Sequence, residues 1–320
     1  MNVFRARTVA LLATAIALLL FQDVGYAQAG SAAQGQKIEK KSGYESRYLL
    51  DILLDANQRS ERQLAEAGKV EALAEAGDAY AQYLLGTLYR LGKSHPSKLF
   101  ERDDGKAEKY LGNASVNGQV LAMAGMAELE LRRKQPMKAM VWAQAFAGYQ
   151  SVHDEIFGDK NPRQAYAAFL LQRSFEGVGH SDAVRQQIGQ YFQDFQESHD
   201  ATIRAAIARE HEKQQSLEKG DGTGLAQLYS GRIDLDTPDP REQRMHSPGY
   251  ALFLVGINPK GRIEKLLVVD ALPDQVFAAG LEGVMRRSHF NTAKKDSDMR
   301  WAYVPVNYDD QSVKLKKPDK

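Results

Sequence analysis

The sequence predicts a multidomain chain: an all-α, helical-repeat N-terminal region followed by a small α+β domain of order β-β-α-β. Three observations predict it. Residues 46–219 are rich in Ala, Leu, Gln and Glu at helical spacing and lack continuous strand patterns. Within them, a pattern of small and aromatic residues recurs at a fixed offset. After Pro248 the grammar changes: an apolar run of strand length, a turn, a second apolar run, an amphipathic stretch and a final strand pattern follow.

The N-terminus comes first in chain order. Arg5 and Arg7 precede an apolar run from Val9 to Phe21, broken only by Thr14, and small residues around Gly25-Tyr26-Ala27-Gln28-Ala29 suit cleavage. This is the layout of a secretory signal peptide over residues 1–29. The apolar run of 13 residues is short of the roughly 20 that cross a bilayer. The expectation is export to the periplasm with cleavage, the alternative being an uncleaved inner-membrane anchor facing the periplasm. Residues 30–45, rich in Ala, Gly, Ser, Gln and Lys, read as a flexible leader.

From Ser46 the pattern is helical, with Tyr48, Leu49, Ile52 and Leu53 on one face and Gly68 as an expected helix stop. Gly77-Asp78-Ala79-Tyr80-Ala81-Gln82 and Leu85-Gly86-Thr87-Leu88-Tyr89 then precede Asp103, Lys106-Ala107, Tyr110, Ala114 and Gly118. A second copy starts at Gly118, offset by 41 residues. Its second helix carries Lys138-Ala139 and Trp142 at an offset of 32, with Ala147 one residue further on, so the first copy holds a loop about nine residues longer, around Ser94 to Arg102. The repeat spans about residues 77–150, and a weaker third start falls at Asn161–Ala165. Ala81, Gly86, Ala107 and Ala114 remove bulk where helices cross, while Leu85, Tyr89, Tyr110 and Trp142 fill the remaining space. One such hairpin cannot bury its apolar face alone, so copies stack. Residues 182–218 read as one or two polar helices with an apolar stripe of Ile188, Tyr191, Phe192 and Phe195.

Residues 220–248 carry Gly220-Asp221-Gly222-Thr223-Gly224 and Pro238, Pro240 and Pro248, and read as a linker. Residues 249–309 form the second domain. In its first strand Ala251, Phe253, Val255 and Ile257 alternate with Leu252, Leu254 and Gly256. Asn258-Pro259-Lys260-Gly261 supplies a turn into a strand from Ile263 to Val269. Pro273-Asp274 opens a helix with Phe277, Leu281, Val284 and Met285 on one face, and Arg300 to Tyr308 is the last strand. Residues 310–320 form a charged tail.

Composition narrows the function. Lys and Arg number 42 against 41 Asp and Glu, a formal net charge of +1. Nucleic-acid binders carry a basic excess that displaces counterions, so no nucleic-acid partner is expected. Cysteine is absent, which removes disulfides, thiolate metal sites and cysteine nucleophiles together. Gly92-Lys93-Ser94 resembles the end of a phosphate loop, but Gly86 is one residue too far away and a helix precedes it rather than a strand. The seven histidines show no metal spacing, His199 and His211 included. Asp234, Asp236 and Asp239 lack the EF-hand glycine and terminal glutamate. Asp221-Gly222-Thr223-Gly224 has no second aspartate motif to share a proton, and no Gly-x-Ser-x-Gly elbow occurs. No catalytic residue, metal site or cofactor is expected, and the chain does not read as an enzyme.

Two resemblances carry the functional expectation. Ala81, Leu85-Gly86, Tyr89, Asp103, Lys106-Ala107, Tyr110, Ala114 and Gly118 resemble the Sel1-like repeat, a relative of the tetratricopeptide repeat. The second copy departs from it, with Gln135 in place of Asp and Gln150 in place of Gly. The resemblance implies a curved helical scaffold that holds other proteins.

Residues 249–308 are similar to the C-terminal domain of TonB energy transducers. The likeness runs through Gly249–Phe253, Ile257 with Gly261-Arg262-Ile263, the helix Phe277–Val284, Phe290-Asn291-Thr292-Ala293 and Val304-Pro305-Val306-Asn307-Tyr308. It implies capture of an extended peptide by strand addition, with Arg300, Trp301, Tyr303 and Pro305 as partner-binding candidates. Thr292 replaces the family proline, and the long Pro/Lys-rich span of a working transducer is missing. The reading is therefore a periplasmic protein–protein interaction protein, the alternative being an atypical anchored energy transducer for outer-membrane transport. The partners implied are proteins of the cell envelope, an outer-membrane transporter among them, and a second copy of the chain through the TonB-like domain.

Overall fold

In the computed structural model the described residues are 50–157, 164–178, 181–219, 231–232, 247–290, 299–308 and 313–314. Among them a mostly helical region precedes a small antiparallel sheet, as the sequence predicts. The signal-peptide and leader expectations (residues 1–45) lie outside the described residues, as does most of the 220–248 linker.

A helical turn through residues 50–54 buries Leu50, Ile52, Leu53 and Leu54. The helices that follow are α1 Ser60–Glu75, α2 Ala79–Leu91, α3 Asp104–Val116, α4 Val120–Arg132, α5 Pro136–Phe157, α6 Gln164–Glu176 and α7 Asp182–Lys219. Consecutive helices from α1 to α6 pack on one another, and α7 returns to lie on α5 and α3. Capping chemistry sets several starts. The carboxylate of Asp78 accepts from the Ala81 amide at 2.8 Å, and that of Asp103 from the Lys106 amide at 2.9 Å. The expected stop at Gly68 is not there. α1 runs through it because Ala67, Val70 and Ala74 are buried on one face, which outweighs the ~1 kcal/mol that an interior glycine costs. The helix ends instead at Ala76-Gly77, where Gly77 takes φ +93°.

The eight residues given helix-crossing and space-filling roles are all buried. Ala107 and Ala114 are fully buried, and Ala81, Leu85, Gly86, Tyr89, Tyr110 and Trp142 are buried beside them. At Gly86 a Cβ would stand 2.6 Å from Leu111 Cγ and 2.8 Å from the Leu111 amide nitrogen, so α2 and α3 approach too closely there for any side chain. Tyr89 stacks on Tyr110 with ring centroids 6.1 Å apart, and Trp142 meets the ring of Phe195 on α7 edge-on at 5.2 Å. The loop between α2 and α3 is nine residues longer than the one between α4 and α5, as the two offsets require. Residues 182–218 belong to the single helix α7, with Ile188, Tyr191 and Phe195 buried. Of the weak third start, Gln164 and Ala165 open α6, while 161–163 lie outside the described residues.

The C-terminal part contains β1 Gly231–Arg232, β2 Gly249–Ile257, β3 Ile263–Leu272, α8 Gln275–Arg287, β4 His289–Phe290, β5 Arg300–Tyr308 and β6 Val313–Lys314. β1 pairs with β4, and the main sheet has the order β3-β2-β5-β6 with every described pairing antiparallel. The Asn258 carbonyl side chain accepts from the amides of Lys260 and Arg262 at 2.9 and 3.0 Å, which closes the β2–β3 turn. Asp274 caps α8 by accepting from the Val276 amide at 2.9 Å. The predicted face of α8 (Phe277, Leu281, Val284 and Met285) is buried.

All nine residues of β2 are buried, because both faces of the sheet are covered. Ala251, Phe253, Val255 and Ile257 join Ala302, Val304 and Val306 of β5 in a core under α8. Tyr250, Leu252 and Leu254, with Leu267, Val269 and Leu272 of β3, belong to the core of the helical region. The two parts therefore share one hydrophobic interior.

Candidate functional site

An antiparallel sheet offers unpaired main-chain groups only along its two outermost strands. On β3 the main-chain carbonyl of Val268 accepts from His95 Nε2 at 3.1 Å, and that of Ala271 from Arg90 Nη2 at 2.9 Å. Arg90 Nη1 also donates to the carbonyl of Pro273 at 3.3 Å. Both donors come from the helical part. His95 lies in the long loop after α2, so that loop reaches across to hold this strand. A carbonyl can only accept, so Nε2 carries the imidazole proton, and Nδ1 is left to accept from the Ser97 amide at 3.2 Å. Burial holds the His95 imidazole down at about 4, and the nearby Arg90 charge adds to the effect.

β5 is different. β6 pairs with it only at Asn307 and Tyr308, so among the described residues Arg300 to Val306 have no partner strand on that side. Pro305, opposite Leu252, has no amide to give, a residue confined to strand edges and bulges. Trp301 and Tyr303 are half-buried and lie on the sheet face turned to the helices. The ring of Tyr80 on α2 meets Tyr303 edge-on at 5.6 Å, and Lys265 Nζ stands 5.8 Å from the Trp301 ring centre. Their faces are thus spent on the chain itself, and what β5 offers outward is its main chain. Arg300 pairs in register with Ile257, and its side chain is outside the described residues.

Between the sheet and α2 lies a charged contact. Arg90 Nη2 is 2.7 Å from Asp270 Oδ1, with both side chains almost wholly buried. Tyr83 donates its hydroxyl to the other carboxylate oxygen at 2.5 Å. Burial, reinforced by the Asp270 charge, pushes the Tyr83 hydroxyl well above its usual range and keeps it a donor. A second buried carboxylate, Glu128 on α4, accepts from Tyr166 at 2.8 Å and Arg173 at 2.6 Å, and burial raises its carboxyl despite them. Sequence reading missed Tyr83, Arg90, His95 and Asp270. The one available signal was Asp270 itself, a lone charge inside the apolar run Leu266–Leu272.

The motifs set aside in sequence have structural roles where they are described. Gly92–Ser94 is a 3-10 turn in which Lys93 donates to the Lys98 carbonyl at 2.9 Å and Ser94 to that of Leu91. His199 packs against Phe195 and His211 against Phe157. Asp221–Gly224 and the cluster Asp234, Asp236 and Asp239 lie outside the described residues. Among the described residues no group of three His, Cys, Asp or Glu could hold a metal ion, and no helix is long and apolar enough to cross a membrane.

Comparison with known proteins found no matching family model, no matching curated protein and no matching solved structure.

Proposed function

We propose that this protein is an exported, periplasmic interaction protein that grips an extended segment of another envelope protein by strand addition along β5. The observation that carries the reading is the asymmetry of the sheet's edges: β3 is clamped by Arg90 and His95, whereas β5 presents Arg300 to Val306 without a strand partner among the described residues. In strand addition the main chain supplies the hydrogen bonds, and pockets for alternate side chains add selectivity. On this reading the helix pairs α2–α3 and α4–α5 are Sel1-like repeats and the sheet is a TonB C-terminal-like domain. The repeats hold the sheet rigid from one side while α8 supports the other, so an arriving strand meets a preorganised edge and loses less affinity to ordering it.

Photocrosslinking in the exported protein tests this. A photoreactive residue replacing Pro305, partly exposed on β5, should give discrete adducts to envelope proteins, the label mapping to one extended segment. The same residue replacing Val276, 68% exposed on α8, should give none of them. Equal adducts from both positions, or none from position 305, would reject strand addition. Export is tested separately by the mass of the mature N-terminus, which should begin after Ala27 or Ala29.

A further inference from the structure

Helices α2, α4 and α6, alternate members of the array, share one side of it and touch the sheet there: α2 and α4 meet β3, and α6 meets β2 and β5. In stacked helix pairs this inner surface is where an extended ligand would lie. Here Tyr250, Leu252, Leu254, Leu267, Val269 and Leu272 fill it. The contact is also chemically addressed. Tyr83 and Arg90 are seven residues apart on α2, two turns along one face, and they converge on a single carboxylate. Asp270 is fully buried, with Oδ1 taken by Arg90 and by the Ala271 amide at 2.7 Å and Oδ2 by Tyr83. A strand slipped by one residue would turn Asp270 to the α8 face and leave Arg90 buried without its counter-charge.

We infer that the inner surface of the helical array is a receptor for the chain's own sheet, with Tyr83 and Arg90 of α2 recognising the carboxylate of Asp270. A separate protein partner then reaches the array on its outer surface or reaches the β5 edge, not the inner surface. The inference does not depend on the strand-addition reading, since it concerns the helix-facing surface of the sheet and not the main-chain edge of β5.

The test uses the full chain with a specific protease site inserted between Pro240 and Arg241. After folding and cutting, the two pieces should co-elute in size-exclusion chromatography at the position of the uncut protein and remain together on dilution. Removing one partner of a buried ion pair leaves the other charge uncompensated, so Asp270→Asn should weaken association of the cut pieces by roughly 10²- to 10³-fold. Tyr83→Phe, which removes one neutral donor and keeps the ring, should weaken it about tenfold. Wild-type pieces that separate under native conditions would overturn the inference. So would cut Asp270→Asn and Tyr83→Phe proteins that hold together as tightly as the wild type, because the carboxylate would then not be what α2 recognises.

Discussion

His95 sits fully buried between the long loop and β3, and its ionisation ties stability to pH. An ordinary histidine titrates at 6.5, whereas in the folded chain burial and the Arg90 charge lower His95 to about 4. Between those values the unfolded chain binds a proton that the folded chain refuses, so stability falls with acid. The contribution is intact above the unfolded value and is lost progressively as pH drops toward 4. From pH 7 to pH 5 the loss due to this one group is about 2 kcal/mol. His95→Gln keeps a donor in place for the Val268 carbonyl and cannot titrate. Burial raises the carboxyl of Glu128, an effect of opposite sign, and that effect is common to both proteins. Urea unfolding followed by far-UV circular dichroism at pH 7 and pH 5 should show the wild type losing about 2 kcal/mol more than His95→Gln, with matching m-values. Equal losses in the two proteins would refute the assignment of a buried, neutral His95.

Three further changes probe the helical region, each read as a shift in the urea midpoint. Gly86→Ala forces a methyl group against the Leu111 backbone and should destabilise by ~1–3 kcal/mol, although alanine is the better helix former. Asp103→Ala removes the cap on α3 and should cost about 1 kcal/mol, which Asp103→Ser should largely restore. Trp142→Ala opens a cavity against Phe195 and should cost ~3–5 kcal/mol; a cost below 1 kcal/mol would mean that α5 and α7 are not packed as described.

Legibility in the sequence followed how local the cause was. The face of α8 and the bounds of β5 were readable because periodicity encodes which side of an element is apolar. The nine-residue difference between the α2–α3 and α4–α5 loops was readable because two offsets disagreed. Gly68 misled because a single residue's propensity was set against burial on the rest of the helix. β2 was legible as a strand apolar on both faces, but not what would cover each face, since Leu252 and Leu254 meet helices that lie far away in the chain. Trp301 and Tyr303 were readable as sharing one face of the last strand. The residues packed against them, Tyr80 and Lys265, are brought there only by the docking of the sheet. Asp270 and Arg90 are 180 residues apart, and nothing in the spacing of either announces the other.

The central claim is that the outer side of β5 is where a partner strand is added, and amide hydrogen exchange tests it most directly. With the protein alone and again in complex with the envelope partner identified by crosslinking, protection should rise in residues 300–306 and stay unchanged in β3. Protection that appears instead on the helices, with residues 300–306 exchanging as in the free protein, would contradict it.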